Sequence, residues 1–161
     1  MGTRHARSSR KRQGPHICVD EHILRPIADV FRKRFSVIEA ARSNEFSGRD
    51  ERDYLPTLNQ RNTIFVTSDS EFVEDVIDNN LEHAGIVYIP PGMLPDERML
   101  FAEIAAVWID GATRTSPTAH RGVTLYPGSD GVRFFRRHGT HDKRAFRTHL
   151  GISWHEIAED L

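Results

Sequence analysis

Cysteine is almost missing from this chain. Cys18 stands alone, which excludes an internal disulfide and any cysteine-based zinc site. Set in a short apolar run, it reads as a small core residue. Long apolar runs are missing as well, and no stretch approaches the roughly 18 residues that a membrane span needs. The basic N-terminus has no apolar segment behind it, so no export signal is expected and the cytoplasm is the expected compartment. Lysine occurs only as Lys11, Lys33 and Lys143. There is no P-loop, no Gly-x-Gly-x-x-Gly and no Gly-x-Ser-x-Gly, so nucleotide-binding and nucleophile-elbow chemistry lose their usual sequence signals. The nine histidines fall in no metal-ligand spacing with a second supported ligand and are expected at the surface.

What remains is an ordinary globular composition of 38% hydrophobic and 28% charged residues in 161, enough for one domain with a proper core. Net charge is −1 but unevenly spread. Residues 1–16 carry five basic and no acidic side chains, residues 17–110 nine and eighteen, and residues 111–161 eight and five. An acidic middle between basic flanks suits a cation-loaded site that must still attract a polyanion. Solvated flanks are the plain alternative.

Residues 1–15 show no apolar periodicity and are expected to form a disordered basic arm. The domain is expected over 16–138. Strand one covers about Ile17–Val19, and the next helix places Ile23, Leu24, Ile27, Val30 and Phe31 at spacings of three and four, with Pro26 early, where a missing N–H is tolerated. Phe35–Ala40 reads as a weak second strand. A helix from Asp50 carries Tyr54, Leu55 and Leu58, and Pro56 should make it short or irregular. Thr63–Thr67 has the composition of a strand buried on both faces, and Phe72, Val73, Val76, Ile77 and Leu81 continue it as an amphipathic helix. Gly85–Ile89 is a fourth strand. From about Pro95 to Asp110 the positions Met99, Leu100, Ile104, Val107 and Trp108 predict a helix closed by Gly111. Val123–Tyr126 and Val132–Phe135 predict a hairpin with a five-residue loop. Residues 139–161 form an extension whose capping box Ser153–Glu156 starts a short helix, with Trp154, Ile157 and Leu161 on one face. The alternation of strands and helices predicts an α/β fold around a mostly parallel sheet.

Two of these strands end in acid: Val19 runs into Asp20 and Glu21, and Thr67 into Ser68, Asp69, Ser70 and Glu71. In open α/β sheets ligands bind beyond the carboxyl ends of strands, so both ends point to one acidic pocket. The segments Val19–Leu24, the acidic helix start at Asp50, Val66–Phe72 and Gly85–Ile89 resemble, in order and spacing, the bacterial PIN-like proteins. These typically read Asp-Glu-Asn-Leu after strand one and Thr-Arg-Asp-x-Asp-Phe after strand three. The similarity spans roughly residues 17–137. It implies a PIN-like three-layer α/β/α fold with about five mostly parallel strands and a closing hairpin. For active members it implies a Mg2+- or Mn2+-dependent ribonuclease, often the toxin of a toxin–antitoxin pair. Asp20 and Asp69 match the two strand-end acids of the family. Glu21 matches the acid following the first, and Glu71 stands where Asp is usual. Either Asp50 or Glu51 aligns with the middle acid, and His22 replaces Asn. The implied metal ligands are Asp20, Glu21, Asp69 and Glu71, and the implied catalytic set is Asp20, Asp69, Glu71 and one of Asp50 or Glu51.

Converging carboxylates repel one another unless a cation or protonation offsets the charge, and Mg2+ takes hard oxygen ligands. The hydroxyls of Thr67 and Ser68 are candidates for orienting the carboxylates. The expected ligand is single-stranded or looped RNA, held by Arg133, Arg136, Arg137, Lys143, Arg144 and the N-terminal arm. An antitoxin-like protein or a second copy of the chain is the expected protein partner, and no membrane is. A catalytically inactive PIN-like module that binds RNA or protein is the second hypothesis. A phospho-acceptor receiver domain fits poorly, because no lysine ends a fifth strand. For Asp50, Glu51 and Asp53, ordinary first-turn helix acids are the plain alternative, and Glu74, Asp75, Asp78 and Glu82 are expected on a solvated helix face.

Overall fold

All five residues of Thr63–Thr67 are buried, as a β-branched and aromatic run flanked by strands on both sides requires. The computed structural model describes residues 14–128 and 131–136, so the basic arm up to residue 13 and the C-terminal extension lie outside the described residues. Within them the strands are β1 (His16–Val19), β2 (Val37–Glu39), β3 (Thr63–Thr67), β4 (Ile86–Tyr88), β5 (Val123–Gly128) and β6 (Gly131–Arg136). The helices are α1 (Arg25–Arg32), α2 (Glu51–Gln60), α3 (Ser70–Asp78) and α4 (Pro95–Thr115). One sheet takes the order β2-β1-β3-β4-β5-β6. The first five strands are parallel and β6 returns antiparallel along β5. Among the described residues no helix is long and apolar enough to cross a membrane.

Helices cover both faces. Ile17, Val19, Ile64, Val66 and Val87 pack with α1 and α4 on one side, while Cys18, Phe65, Ile86 and Tyr88 pack with α2 and α3 on the other. The alternation along each strand follows from the two-residue period of a pleated strand. Burial pushes the Cys18 thiol up to about 12, which fits an inert core residue. The chain steps from β1 to β2 one way across the sheet, and from β2 to β3 and β3 to β4 the other way. With α1 on one face and α2 and α3 on the opposite one, these three crossovers share one hand. The β4–α4–β5 crossover steps like α3 but lies on α1's face, so its hand is opposite. Given the strong preference for right-handed crossovers, α4 is the left-handed exception.

Several elements differ from expectation. Gly111 does not close α4, which runs on to Thr115. A glycine costs a helix only about 1 kcal/mol, and the Arg114 guanidinium bridges back to Asp110 at 3.1 Å. The buried face of α4 is Phe101, Ala102, Ala105, Ala106 and Ile109, leaving Leu100 and Val107 exposed. Small alanines let the helix approach the sheet closely, and that outweighs the larger side chains beside them. Helix α2 stays continuous through Pro56, and α3 ends at Asp78 with Asn80 in the left-handed region (φ 49°), so half-buried Leu81 lies past it. Hairpin pairing extends to Pro127↔Val132 and Gly128↔Gly131, so the connection is shorter than five residues. Pro127 is tolerated because it lies beyond the two residue pairs that join β5 to β4.

Two histidines expected at the surface, His83 and His120, are buried. His83 Nδ1 accepts from the Gly85 N–H at 3.1 Å. Asn62 Oδ1 accepts from the Arg121 guanidinium and lies 2.7 Å from His120 Nε2, so that nitrogen donates. His120 Nδ1 is left as a buried acceptor without a partner. Burial, and secondarily the Arg121 charge, lowers the His120 imidazole from its ordinary 6.5 to about 4. The unfolded chain therefore takes up a proton first as pH falls. Between about pH 6.5 and 4 the fold should lose on the order of 2–3 kcal/mol through this group. Thermal melts of His120→Gln against the unsubstituted chain should show this acid limb flattened, and an unchanged limb would rule His120 out as its source.

Candidate functional site

Neighbouring strands β1 and β3 mark the place where the strand order reverses, and loops leaving their carboxyl ends diverge there to open a crevice. Asp20 is the first residue past β1, and its N–H donates to Val66 O at 2.9 Å, continuing the ladder by one step. The residue is buried, at 4% exposure. One oxygen accepts from the Glu21 N–H at 2.7 Å, the other from the Thr67 hydroxyl at 2.9 Å. The same Thr67 oxygen accepts from the Asp69 N–H at 3.0 Å. A single fully buried hydroxyl therefore links the two strand-end acids. Asp69 caps α3, accepting from the Phe72 N–H at 3.1 Å.

Glu51, in the first turn of α2, is the third acid. Its carboxyl is raised above the usual range by burial, then by the charges of Asp20, Asp69 and Asp50. Asp20 is raised too, chiefly by burial and in smaller part by Asp69, against the lowering effects of Thr67, the Glu21 N–H and nearby His22. Asp20, Glu51 and Asp69 thus share one electrostatic field. Asp50 is turned elsewhere: it caps α2 through the Arg52 N–H at 2.9 Å and pairs with the Arg52 guanidinium at 3.3 Å. Its carboxyl is held below the ordinary value by those contacts. Glu21 is exposed and accepts from the Gly48 N–H at 2.7 Å, tying the β2–α2 loop to the end of β1. Glu71 is exposed in the first turn of α3.

Two tyrosines border the acids, which the sequence presents only as core residues. Tyr54 is raised by burial and then by Asp20, Cys18 and Glu51. Tyr88, opposite Thr67 in the β3–β4 register, is raised by burial and by Asp69 while hydrogen bonding to Ser70. A tyrosine at the end of β4, one strand along from Asp69, is the signal that could have pointed to it. Arg25, exposed at the start of α1, has no carboxylate partner among the described residues.

The expected RNA contacts are distributed differently. Arg133 pairs with Tyr126 in the upper half of the hairpin, but Arg136 pairs with Val123 at the amino end of β5, the opposite end of the sheet from Asp20 and Asp69. Its guanidinium sits 5.3 Å from the Phe134 ring. Arg137, Lys143 and Arg144 lie outside the described residues. A cavity of about 460 Å³ also opens at the amino end, between Pro15, Arg32, Arg34, Phe35 and Asp110. Its guanidiniums are already engaged, Arg32 with Asp29 and Glu39 and Arg34 with Asp110.

Among the described residues no three His, Cys, Asp or Glu side chains close on one point in the manner of a protein-only metal cage. The donor set is all carboxylate oxygen, which fits a hard divalent cation, and Mg2+ is usually held by one or two carboxylates with water and substrate phosphate. Asp20, Asp69 and Glu51 are the residues whose charges such an ion would offset. Comparison with family models, curated proteins and solved structures finds no match.

Thr67→Val would leave an oxygen of Asp20 and the Asp69 N–H unsatisfied, and should cost about 1–3 kcal/mol, mostly recovered in Thr67→Ser. Asp20→Asn should stay within about 1 kcal/mol of the parent at pH 7, because burial disfavours the ionised form. The raised carboxyl means the parent gains stability as pH falls through a value above 3.8, a gain the Asn variant should lack. Denaturant titrations across pH would test both.

Proposed function

We propose that this chain is a metal-dependent endoribonuclease of the PIN-like type, acting on single-stranded or looped RNA at the carboxyl ends of β1 and β3. The observation that carries the reading is the shared field of Asp20, Glu51 and Asp69, three acids from three elements near enough to raise one another at the strand-order reversal. Carboxylates kept together against their own repulsion are hard to explain as solubility or capping alone. The six-stranded sheet with its closing β6 and the residue pattern described above are compatible with a PIN-like fold.

When bound, Mg2+ or Mn2+ supplies charge neutralisation and a Lewis-acid pull on a phosphoryl oxygen. In this reading Asp20 and Asp69 hold the ion and Thr67 positions them, since its hydroxyl touches both. Glu51, in the first turn of α2 and within the field of the other two acids, would accept a proton from the attacking water. Arg25 and His22 hold the substrate phosphate near the acids. The role of a toxin countered by an antitoxin-like protein belongs to the same proposal.

A second reading, a catalytically silent module, is favoured by one observation: both oxygens of Asp20 are already taken by internal hydrogen bonds. Calorimetric titration with Mg2+ and Mn2+ separates the two, since heat lost in Asp69→Asn is expected only of the metal site. In a single-stranded RNA cleavage assay, Asp20→Asn, Asp69→Asn and Glu51→Gln should each lower the metal-dependent rate at least 100-fold (about 2.7 kcal/mol). Asp50→Asn, still able to cap α2, should leave the rate within about threefold. Full cleavage by Asp69→Asn would falsify the assignment. Arg25→Ala should weaken RNA binding and lower the salt slope by about one, whereas Arg136→Ala should change neither.

A further inference from the structure

Among the described residues an exposed apolar surface lies where α4 meets β6. Leu100 and Val107 are 60% and 53% exposed, and Phe134 is 38% exposed. Ile104 and Trp108 are half-buried between them, with the Trp108 and Phe134 rings 6.1 Å apart. Spacings of four, three and four from Leu100 through Ile104 and Val107 to Gly111 make one continuous helical stripe. An added Cβ on Gly111 would meet nothing within 4 Å, so a partner could come close there. The stripe arises from the register of α4. Phe101, Ala102, Ala105, Ala106 and Ile109 face the sheet while Leu100 and Val107 face away, and among the described residues the α1/α4 layer has no further helix over β6.

We infer that this face seats the chain's own last residues, 153–161. The argument is one of connectivity. The described chain leaves β6 at Arg136, beside the start of β5 and hence at the C-terminal end of α4, next to the stripe. Sixteen residues, 137–152, separate that exit from Ser153. They can span up to ~50 Å, against roughly 17 Å of helix axis between Leu100 and Gly111. The terminal segment brings Trp154, Ile157 and Leu161 at spacings of three and four, an apolar edge of matching period. It also brings Glu156, Glu159 and Asp160, and Arg114 and Arg136 flank the α4–β6 face. A helix of that length is marginal in water unless its apolar edge is covered. A second copy of the chain is the competing occupant.

Disulfide trapping in the full chain distinguishes them. Val107→Cys combined with Ile157→Cys should give, under mild oxidation, an intramolecular disulfide whose yield does not change over a 100-fold range of protein concentration. Glu74→Cys, on the opposite face of the sheet, combined with Ile157→Cys should not. Native Cys18, buried and with its thiol raised, should stay unreacted. A cross-link that forms between chains and grows with concentration would overturn the inference in favour of a dimer, and a yield no greater than the Glu74 control would overturn it outright. Independently, Val107→Ser and Trp154→Ser should each lower Tm by several degrees, and together by no more than the larger of the two. Strictly additive losses would count against contact between these residues.

Discussion

The hydroxyl of Thr67 carries the arrangement at the strand ends. It donates to the Asp20 carboxylate and accepts from the Asp69 backbone, so two acids on neighbouring strands share one buried oxygen. Burial alone would drive Asp20 toward its neutral form. The Thr67 and Glu21 hydrogen bonds oppose that, and His22 adds an opposite charge nearby. The net result is a carboxyl raised above its ordinary value, chiefly by burial. Its position is fixed by the β1–β3 ladder, since the Asp20 and Ile89 N–H groups extend pairing past the strands on both sides of β3. Helix α2 then brings Glu51 into the same field, and the Glu21–Gly48 contact tethers the loop that precedes it.

The unusual hand of the β4–α4–β5 crossover has consequences on the other face. Crossing with the common hand would have put α4 beside α3; instead it lies against α1, with the Lys33–Glu103 and Arg34–Asp110 pairs between them. Close seating of that helix needs small side chains, and Ala102, Ala105 and Ala106 supply them. Leucine and valine are then turned outward, and the apolar stripe beside β6 is the cost of that choice.

Much of the architecture was legible in the residues. Period-two and period-three-to-four patterns located the six strands and four α-helices of the described residues, because β-branched runs such as Thr63–Thr67 and spacings such as Phe72, Val73, Val76 and Ile77 have few other ways to bury themselves. Asp20 and Asp69 were legible as strand-end acids for the same reason. The alternatives left open at the helix start were not resolvable from spacing: Asp50 and Glu51 are adjacent, and only the rotation of α2 turns Glu51 toward the other acids while Asp50 caps the helix. Misreading α4 had a related cause, since hydrophobic size favoured Leu100 and Val107 whereas packing favoured the alanines. Arg136 reads as part of a basic cluster in sequence, yet antiparallel return of β6 carries it to the far end of the sheet.

The sequence by itself determined the α/β class, the order of the elements and the acids at two strand ends, because local periodicity and composition act over a few residues. Only the tertiary structure decided which acids share one field, which face of α4 is buried, the hand of its crossover and the burial of His83 and His120. Those depend on contacts between segments tens of residues apart: Thr67 with Asp20, Asn62 with His120, α1 with α4. Such contacts are chosen by the packing of whole layers, and no local pattern in the chain encodes them.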